Sequence, residues 1–178
     1  GAPFLHKVAD PALIVRTLGF PLWIKRSDST AKTAGDVRFV TDEAQLRSAL
    51  ADFAAAGIED FIVSAHLEGD LVKFYGVEGT PFFSHTYPTR ENGFSKFGLE
   101  QHNGAPAEYS FSVSALKTTA DAAARHFGMP IYGGDAVIRP DGRFFLIDFN
   151  DWPSFGSCTQ AAAEAIATRA LHFLRPGA

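Results

Sequence analysis

Three residues with oxygen-bearing side chains stand out near the C-terminal end, where the sequence is otherwise apolar. Asp135, Asp148 and Asn150 lie in the stretch GGDAVIRPDGRFFLIDFNDWPSF. Inside it, the run Pro-Asp-Gly at 140–142 predicts a tight hairpin turn, because Asp and Gly tolerate the positive φ that such a turn needs. The stretch is therefore predicted to be a β-hairpin that carries two carboxylates and one amide.

The predicted turn also sets the pairing of the two strands. With 141 and 142 in a two-residue loop, counting outward along both strands places Asp135 directly opposite Asp148. Asn150 lies two residues further along, so it shares their face of the sheet. The predicted core face holds Ala136, Ile138, Phe145, Ile147 and Phe149, and the predicted oxygen-bearing face holds Asp135, Val137, Arg139, Phe144, Leu146, Asp148 and Asn150.

The facing carboxylates indicate a bound cation. Like charges directly opposite each other across two strands repel, and a divalent cation would turn that repulsion into coordination. Oxygen atoms of Asp and Asn are ligands that Mg²⁺ prefers. The alternative is a solvated strand end, where the carboxylates simply lie in water. Of the two interpretations we favour a metal site made by Asp135, Asp148 and Asn150.

Composition and charge argue against several classes of protein. The chain has 178 residues, a formal net charge of −4 and one cysteine, Cys158. A weakly acidic chain lacks the basic surface that nucleic-acid binding needs, so no nucleic-acid partner is expected. A single cysteine cannot form an internal disulfide and is compatible with a reducing, cytoplasmic location. No apolar run is long enough to span a bilayer, so no membrane partner is expected.

The order of predicted elements indicates an α+β protein with mostly antiparallel sheets. A short helix at 11–18 leads to a strand in PLWIKR, and the hydroxyl-rich stretch 27–36 is predicted to be a loop. The further predicted elements are a strand and helix, strands in FIVSAHL, LVKFYGV and PFFSHTY, a helix over 112–127, the hairpin, and a last helix that turns Ala163, Ile166, Ala167, Ala170, Leu171 and Leu174 inward.

This order of elements resembles the ATP-grasp superfamily over nearly the whole chain. The segments that carry the resemblance are PLWIKR, FIVSAHLEGDLVKFYGV and YGGDAVIRPDGRFFLIDFNDWPSF. LVKFYGV and LIDFNDWPSF are most similar to the branch of the inositol-trisphosphate kinases and the ribosomal-protein glutamate ligases. The resemblance implies two small α+β lobes that clamp a nucleotide. The smaller lobe would be 1–66, with loop 27–36 over the phosphates, and the larger lobe, with the metal-binding hairpin, would be 67–178.

The resemblance also implies roles for individual residues. Asp135, Asp148 and Asn150 would bind magnesium, which agrees with the strand register. Lys25 would reach the phosphates of ATP, and Lys73 would be the catalytic residue beside the phosphates or the substrate. Either lysine could instead be an ordinary strand lysine that faces solvent. The other implied ATP contacts are the backbone of Ser64, Ala65, His66 and Leu67 for adenine, Glu68 for ribose and Leu146 for the purine ring.

The function that the resemblance implies is phosphoryl transfer from Mg-ATP. In a carboxylate-amine ligase, a substrate carboxylate takes the γ-phosphate and an amine attacks the acylphosphate; in a kinase of the inositol or polyol type, a hydroxyl is the acceptor. We favour the ligase. The implied partners are ATP, a small-molecule or peptide acceptor, and an N-terminal domain, which is expected to be absent here. A nucleotide-binding module without turnover is an alternative, because the loop 27–36 has only one glycine, Gly35.

Overall fold

Two antiparallel sheets organise the chain. The computed structural model describes residues 3–29, 31–88, 99–156 and 158–174. It divides into two compact units, Gly1–Leu67 and Glu68–Ala178. Within the described residues, each unit has one four-stranded antiparallel sheet and two α-helices. The predicted α+β class with antiparallel sheets is therefore confirmed.

The first unit packs its two helices against one face of its sheet. The strands are β1 (Phe4–His6), β2 (Leu22–Arg26), β3 (Val37–Val40) and β4 (Phe61–Ala65), in the order β1-β4-β2-β3, and the helices are α1 (Pro11–Leu18) and α2 (Glu43–Ala55). Leu22 and Ile24 of β2 are fully buried in the core with both helices. Trp23 and Lys25 consequently lie on the other face of the sheet, because side chains alternate along a strand.

The second unit has the sheet that carries the predicted hairpin. Its strands are β5 (Asp70–Val77), β6 (Phe83–Thr86), β7 (Ile131–Ile138) and β8 (Phe144–Asp151), in the order β6-β5-β7-β8, and its helices are α3 (Val113–Phe127) and α4 (Thr159–Phe173). Leu116 and Ala120 of α3 pack in a core with Phe74, Ala136 and Ile138 of the sheet. Helix α4 contacts β5.

The buried side of α4 differs from the prediction. Ala162 and Ala165 are buried, whereas Ala163, Leu171 and Leu174 of the predicted inward stripe are exposed. In a helix with many alanines the apolar pattern is similar on several sides, so it does not determine which side is buried. The prediction for this helix is right in position and wrong in orientation.

The hairpin between β7 and β8 has a longer loop than predicted. The N–H of Gly142 donates to the carbonyl of Arg139 at 2.9 Å, and the N–H of Arg139 donates to the carbonyl of Arg143 at 2.8 Å. The loop therefore contains the three residues 140–142, with Gly142 at φ 78°. A tight turn followed by a left-handed residue is a common three-residue connection. Every pair near the turn is shifted by one residue from the predicted register.

A β-bulge at Ile147 reverses that shift. Leu146 pairs with Ala136, and the next pair along the strands is Asp148 with Asp135, so Ile147 is the extra residue on β8. The predicted pairing of Asp135 with Asp148 is confirmed, although the turn and the bulge each differ from the prediction by one residue.

The faces predicted for the start of β8 are wrong for the same reason. A one-residue change of register moves every side chain to the other face of a sheet. Phe144 and Leu146, which were predicted on the oxygen-bearing face, pack instead in the core with α3, as Phe149 does after the bulge. From Asp148 onwards the predicted faces apply again.

Gly76 on β5 has no room for a side chain. A Cβ there would lie 2.3 Å from the ring and hydroxyl of Tyr132, which is fully buried and donates to Asp121 at 2.7 Å. Gly76→Ala is expected to lower the free energy of unfolding by about 1–3 kcal/mol in urea denaturation. Gly156→Ala is the control, because its Cβ would meet no atom within 4 Å. Equal stability of the two variants would contradict this packing.

Candidate functional site

A row of charged side chains crosses the second sheet. Lys73 of β5 faces Asp135 of β7, and Asp135 faces Asp148 of β8, so the three side chains lie next to each other on one face. The Lys73 ammonium lies 3.3 Å from Oδ1 of Asp135, and the two side chains are only 21% and 24% exposed. We call Lys73, Asp135 and Asp148 the charged row.

Asn150 lies beside the charged row. It follows Asp148 by two residues on β8, and its Nδ2 donates to Oδ2 of Asp148 at 2.9 Å. Both side chains are exposed. The three residues predicted as metal ligands therefore share one face, with two carboxylates opposite each other and an amide next to one of them.

The charges in the row are partly balanced by neighbouring groups. Two facing carboxylates destabilise a strand pair, but the Lys73 ammonium compensates Asp135 and the Asn150 amide donates to Asp148. In the part of the chain that the structure describes, no three His, Cys, Asp or Glu side chains cluster as a metal site. The amide oxygen of Asn150 would be a further protein ligand beside the two carboxylates. Two carboxylates and an amide are hard oxygen donors, and they fit Mg²⁺.

Two further predicted contacts lie elsewhere in the second unit. Glu68 is exposed and lies two residues before the start of β5 at Asp70. The bulge turns Leu146 to the side of the sheet that packs on α3, where Ala123 and Phe127 line a groove with it. Its predicted position on the oxygen-bearing face is wrong. Ile147, which lies between Leu146 and the charged row, was not singled out from the sequence, because no local motif encodes a bulge.

Lys25 lies in the first unit beside a group of aromatic rings. Its Nζ is 5.9 Å from the centroid of the Trp23 ring. Trp23 packs on Phe39 with centroids 4.8 Å apart, and its Nε1 donates to Nδ1 of His66 at 3.1 Å. This face of the first sheet therefore combines a cation with flat aromatic surfaces, opposite the helical core.

The stretch predicted to contact adenine makes hydrogen bonds within its own unit. Ser64 pairs with both β1 and β2. The N–H of Ala65 donates to the carbonyl of Pro3 at 3.3 Å, and the N–H of His66 donates to the carbonyl of Pro21 at 3.0 Å. Hydrogen bonds to a base would have to use groups other than these two N–H groups.

Asp36 organises the loop between β2 and β3. Its carboxylate accepts the N–H of Lys32 at 2.7 Å and of Thr33 at 2.9 Å, and it lies 3.7 Å from the Arg26 guanidinium. The hydrogen bonds from Thr33 and Lys32 hold the pKa of Asp36 below its ordinary value. This loop was predicted to cover the phosphates, but two of its N–H groups donate to a carboxylate within the loop. Thr30 of the same loop lies outside the described residues.

Asp36→Ala is expected to loosen this loop. At pH 7 we expect trypsin to cleave faster after Lys32 and the Tm to fall by about 2–4 °C. The pKa of the carboxyl is lower in the folded chain than the unfolded value of about 3.9, so its contribution is present above that pH and is lost as the pH falls through the folded pKa. The difference in Tm between wild type and variant should shrink below about pH 4. A difference that is constant with pH would contradict the role of the charge.

This chain resembles known proteins in its three-dimensional structure, whereas comparisons of its sequence find no match. No family model and no curated protein matches the chain by sequence. D-alanyl-alanine synthetase A from Vibrio cholerae O1 biovar eltor has a TM-score of 0.64 at 15% identity, over 94% of this chain. D-alanine-D-alanine ligase from Helicobacter pylori has a TM-score of 0.58 at 18% identity, also over 94%. The ATP-grasp ligase PsnB, complexed with a minimal precursor, has a TM-score of 0.55 at 15% identity, over 93%.

The matches cover less of the solved proteins than of this chain. The matched part is 58% of the first protein and 55% of each of the other two. None of the described helices is long and apolar enough to cross a membrane. Identities of 15–18% establish the fold alone and leave membership of the superfamily, and of any branch of it, as a prediction. By its two α+β units and these structural matches, the chain has the ATP-grasp fold, as its sequence predicted.

Proposed function

We propose that this chain binds Mg-ATP and transfers its γ-phosphate as a carboxylate-amine ligase. The observation that carries the proposal is the charged row with Asn150 beside it, on one face of a sheet in an ATP-grasp fold. Of the similar solved proteins, two are named as ligases and one as a synthetase, which supports a ligase over a kinase of the inositol or polyol type.

Each residue of the charged row has a proposed task. Asp135, Asp148 and Asn150 would hold Mg²⁺, which would offset the negative charge of the β- and γ-phosphates. Lys73 would stabilise the charge that develops on the γ-phosphate during transfer. Its pairing with Asp135 at 3.3 Å holds the ammonium on this face of the sheet.

The remaining nucleotide contacts are proposed for the stretches around Lys25 and Glu68. Lys25 would bind phosphates, the backbone of 64–67 would bind adenine, and Glu68 would accept a hydrogen bond from ribose. The proposed lobes are 1–66 and 67–178. We do not retain a purine contact for Leu146, because the bulge turns it into the core with α3.

The proposed reaction needs no protein nucleophile. A carboxylate oxygen of the substrate attacks the γ-phosphorus, the bond to the bridging oxygen breaks, and ADP leaves with its electron pair. An amine then attacks the acylphosphate carbon, and phosphate and a proton are released. Cys158 therefore has no covalent role in the proposed reaction.

The cytoplasmic location stays a prediction.

The test uses two measurements on the whole chain. Calorimetry should show ATP binding in magnesium that is much weaker in EDTA. Incubation with ATP, candidate carboxylic acids and hydroxylamine should then give ADP and a hydroxamate, because hydroxylamine replaces the amine and traps the acylphosphate. Phosphorylation of a polyol without hydroxamate would identify a kinase instead. Absence of Mg-ATP binding would refute the proposal.

A nucleotide-binding module without turnover is the second candidate. The observation that favours it is the loop before β3, where Asp36 takes the N–H groups of Lys32 and Thr33. Such N–H groups are the ones that a phosphate-binding loop offers to its ligand. This candidate predicts Mg-ATP binding with no ADP formation in the presence of any acid or polyol.

A further inference from the structure

An apolar surface lies next to the charged row on the same face of the second sheet. Tyr75 follows Lys73 by two residues on β5, and Gly133 of β7 lies opposite Tyr75. A Cβ at Gly133 would lie 2.8 Å from ring atoms of Pro153, so Pro153 covers the sheet at this point. Phe155 packs on Tyr75 with ring centroids 5.8 Å apart.

Phe82 completes this surface, which we call the aromatic wall. Its ring lies 6.4 Å from that of Phe155, centroid to centroid. The aromatic wall consists of Tyr75, Phe82, Pro153 and Phe155. All four side chains are only partly buried, so each retains some exposed surface.

Hydrogen bonds at the start of α4 hold the aromatic wall in place. The carbonyl of Phe155 accepts the N–H of Cys158 at 2.7 Å and the hydroxyl of Thr159 at 3.0 Å. At the other end, Trp152 has φ 42° and its N–H donates to the carbonyl of Ile131 at 3.1 Å. Both ends of the segment that carries Pro153 and Phe155 are thus fixed, and the wall is preformed.

The direction of β5 relates the aromatic wall to the nucleotide contacts proposed for the second unit. Glu68, the proposed ribose contact, lies two residues before the start of β5 at Asp70. An extended strand rises roughly 3.3 Å per residue, so Tyr75 lies about 7 Å past Lys73 in the direction away from Glu68. A nucleotide whose ribose lies at Glu68 and whose γ-phosphate lies at Lys73 would therefore have its acceptor next to Tyr75.

Tyr75 gives the aromatic wall one hydrogen-bond donor. Burial raises the pKa of its phenol; the nearby Lys73 ammonium acts in the opposite direction, and Cys158 and Asp135 add to the rise. The hydroxyl is consequently protonated at neutral pH and can donate to an oxygen. The wall offers flat apolar surface, one neutral donor, and the Lys73 ammonium at its edge, a combination that suits a ligand with one anionic and one apolar end.

We infer that the aromatic wall binds the acceptor of the reaction, and that this acceptor is a carboxylic acid with an apolar body. The inference rests on the proposed ligase function. The carboxylate lies at Lys73 and accepts a hydrogen bond from the Tyr75 hydroxyl, while the apolar body packs on Phe155 and Pro153. Tyr75 and Phe155 are then the residues that determine specificity for the acid.

The test compares acids in the hydroxylamine assay. The carboxylate displaces ADP from the γ-phosphate, and hydroxylamine then displaces phosphate from the acyl carbon, so each hydroxamate formed corresponds to one ADP. The probes are 3-phenylpropionate and isovalerate as apolar acids, with malonate and D-alanine for comparison. We expect kcat/KM for the apolar acids to exceed that for the other two by about tenfold or more, as contacts with an apolar pocket allow.

Two conservative variants test the residues themselves. Tyr75→Phe removes only the hydroxyl and Phe155→Leu keeps an apolar side chain, and each is expected to raise the KM for 3-phenylpropionate by about tenfold. The Kd of Mg-ATP should be unchanged in both. Phe111→Leu is the matched control, because Phe111 is also partly buried but packs in the core with α3, where it contacts His85 with centroids 5.5 Å apart; its KM should equal that of the wild type.

The outcomes separate this inference from the function on which it rests. If Mg-ATP does not bind to the wild type, the proposed function fails and the inference fails with it. If Mg-ATP binds, the inference alone is overturned by any of three results: preference for D-alanine or malonate, hydroxamate from none of the four acids, or unchanged KM in both variants.

Discussion

Asp148→Ala is expected to reduce the affinity for ATP in magnesium by about 100-fold or more, while the affinity in EDTA stays the same. Mutation of a group that only supports a metal ligand typically lowers metal affinity or activity by about 10–100-fold. Asp148 is proposed to bind the metal directly, so its removal should have a larger effect. The variant should also remove the acceptor of the Asn150 hydrogen bond at 2.9 Å. Because Asp148 is exposed, we expect little change in Tm. Calorimetry with both buffers measures the effect.

Asp151→Asn is the control for this experiment. Asp151 lies three residues further along β8, is also exposed, and faces Tyr132, whose side chain belongs to the core with α3. The Asp151→Asn variant removes one negative charge from the same strand and leaves the charged row unchanged, so magnesium-dependent binding should be retained. Affinity in magnesium that is the same for Asp148→Ala and the wild type would rule out Asp148 as a ligand.

Lys73→Met is expected to reduce turnover by about 10²–10³-fold, because its charge is aimed at the group where negative charge develops during transfer. The affinity for Mg-ATP should fall by less than about tenfold, since the metal ligands remain. ADP release and hydroxamate formation measure turnover, and calorimetry measures binding. The chain should also lose stability, because Asp135 is left opposite Asp148 without its ammonium partner.

Lys117→Met separates the catalytic effect from that loss of stability. Lys117 is a partly buried lysine like Lys73, 23% against 21% exposed, and it is likewise paired with a carboxylate, that of Asp121. It lies on α3, away from the charged row. We expect a similar fall in Tm for both variants and normal turnover for Lys117→Met. Equal loss of turnover would mean that Lys73 acts through stability alone.

The β-bulge at Ile147 separates the part of β8 that packs in the core of the second unit from the part that carries the candidate site. Before the bulge, Phe144 and Leu146 pack against α3, and after it Asp148 faces Asp135. Without the extra residue, the register set by the turn would place Asp148 on the face of the core. Bulges next to functional sites commonly re-aim side chains in this way.

Features that depend on near neighbours along the chain could be predicted from the amino-acid sequence. Leu22 and Ile24 alternate with Trp23 and Lys25 along β2, and this local pattern agrees with the burial of Leu22 and Ile24. The Pro-Asp-Gly run predicted a hairpin, which β7 and β8 form, whereas the metal site at its far end stays a prediction. The ATP-grasp fold was predicted from a resemblance to that superfamily over nearly the whole chain, and structural comparison confirms the fold. The alternation in β2 and the hairpin are local features, because strand alternation and turn chemistry involve only a few consecutive residues.

Features that depend on distant partners became clear only from the three-dimensional packing. Two such features are the length of the loop at Pro-Asp-Gly and the bulge at Ile147. Both depend on how β8 packs against α3, because a change of one residue at either place moves every following side chain to the other face of the sheet. The buried side of α4 depends on which sheet surface it meets. The aromatic wall forms because Phe155 returns to Tyr75, 80 residues earlier in the chain. Such contacts follow from packing in three dimensions, and sequence order alone does not encode them.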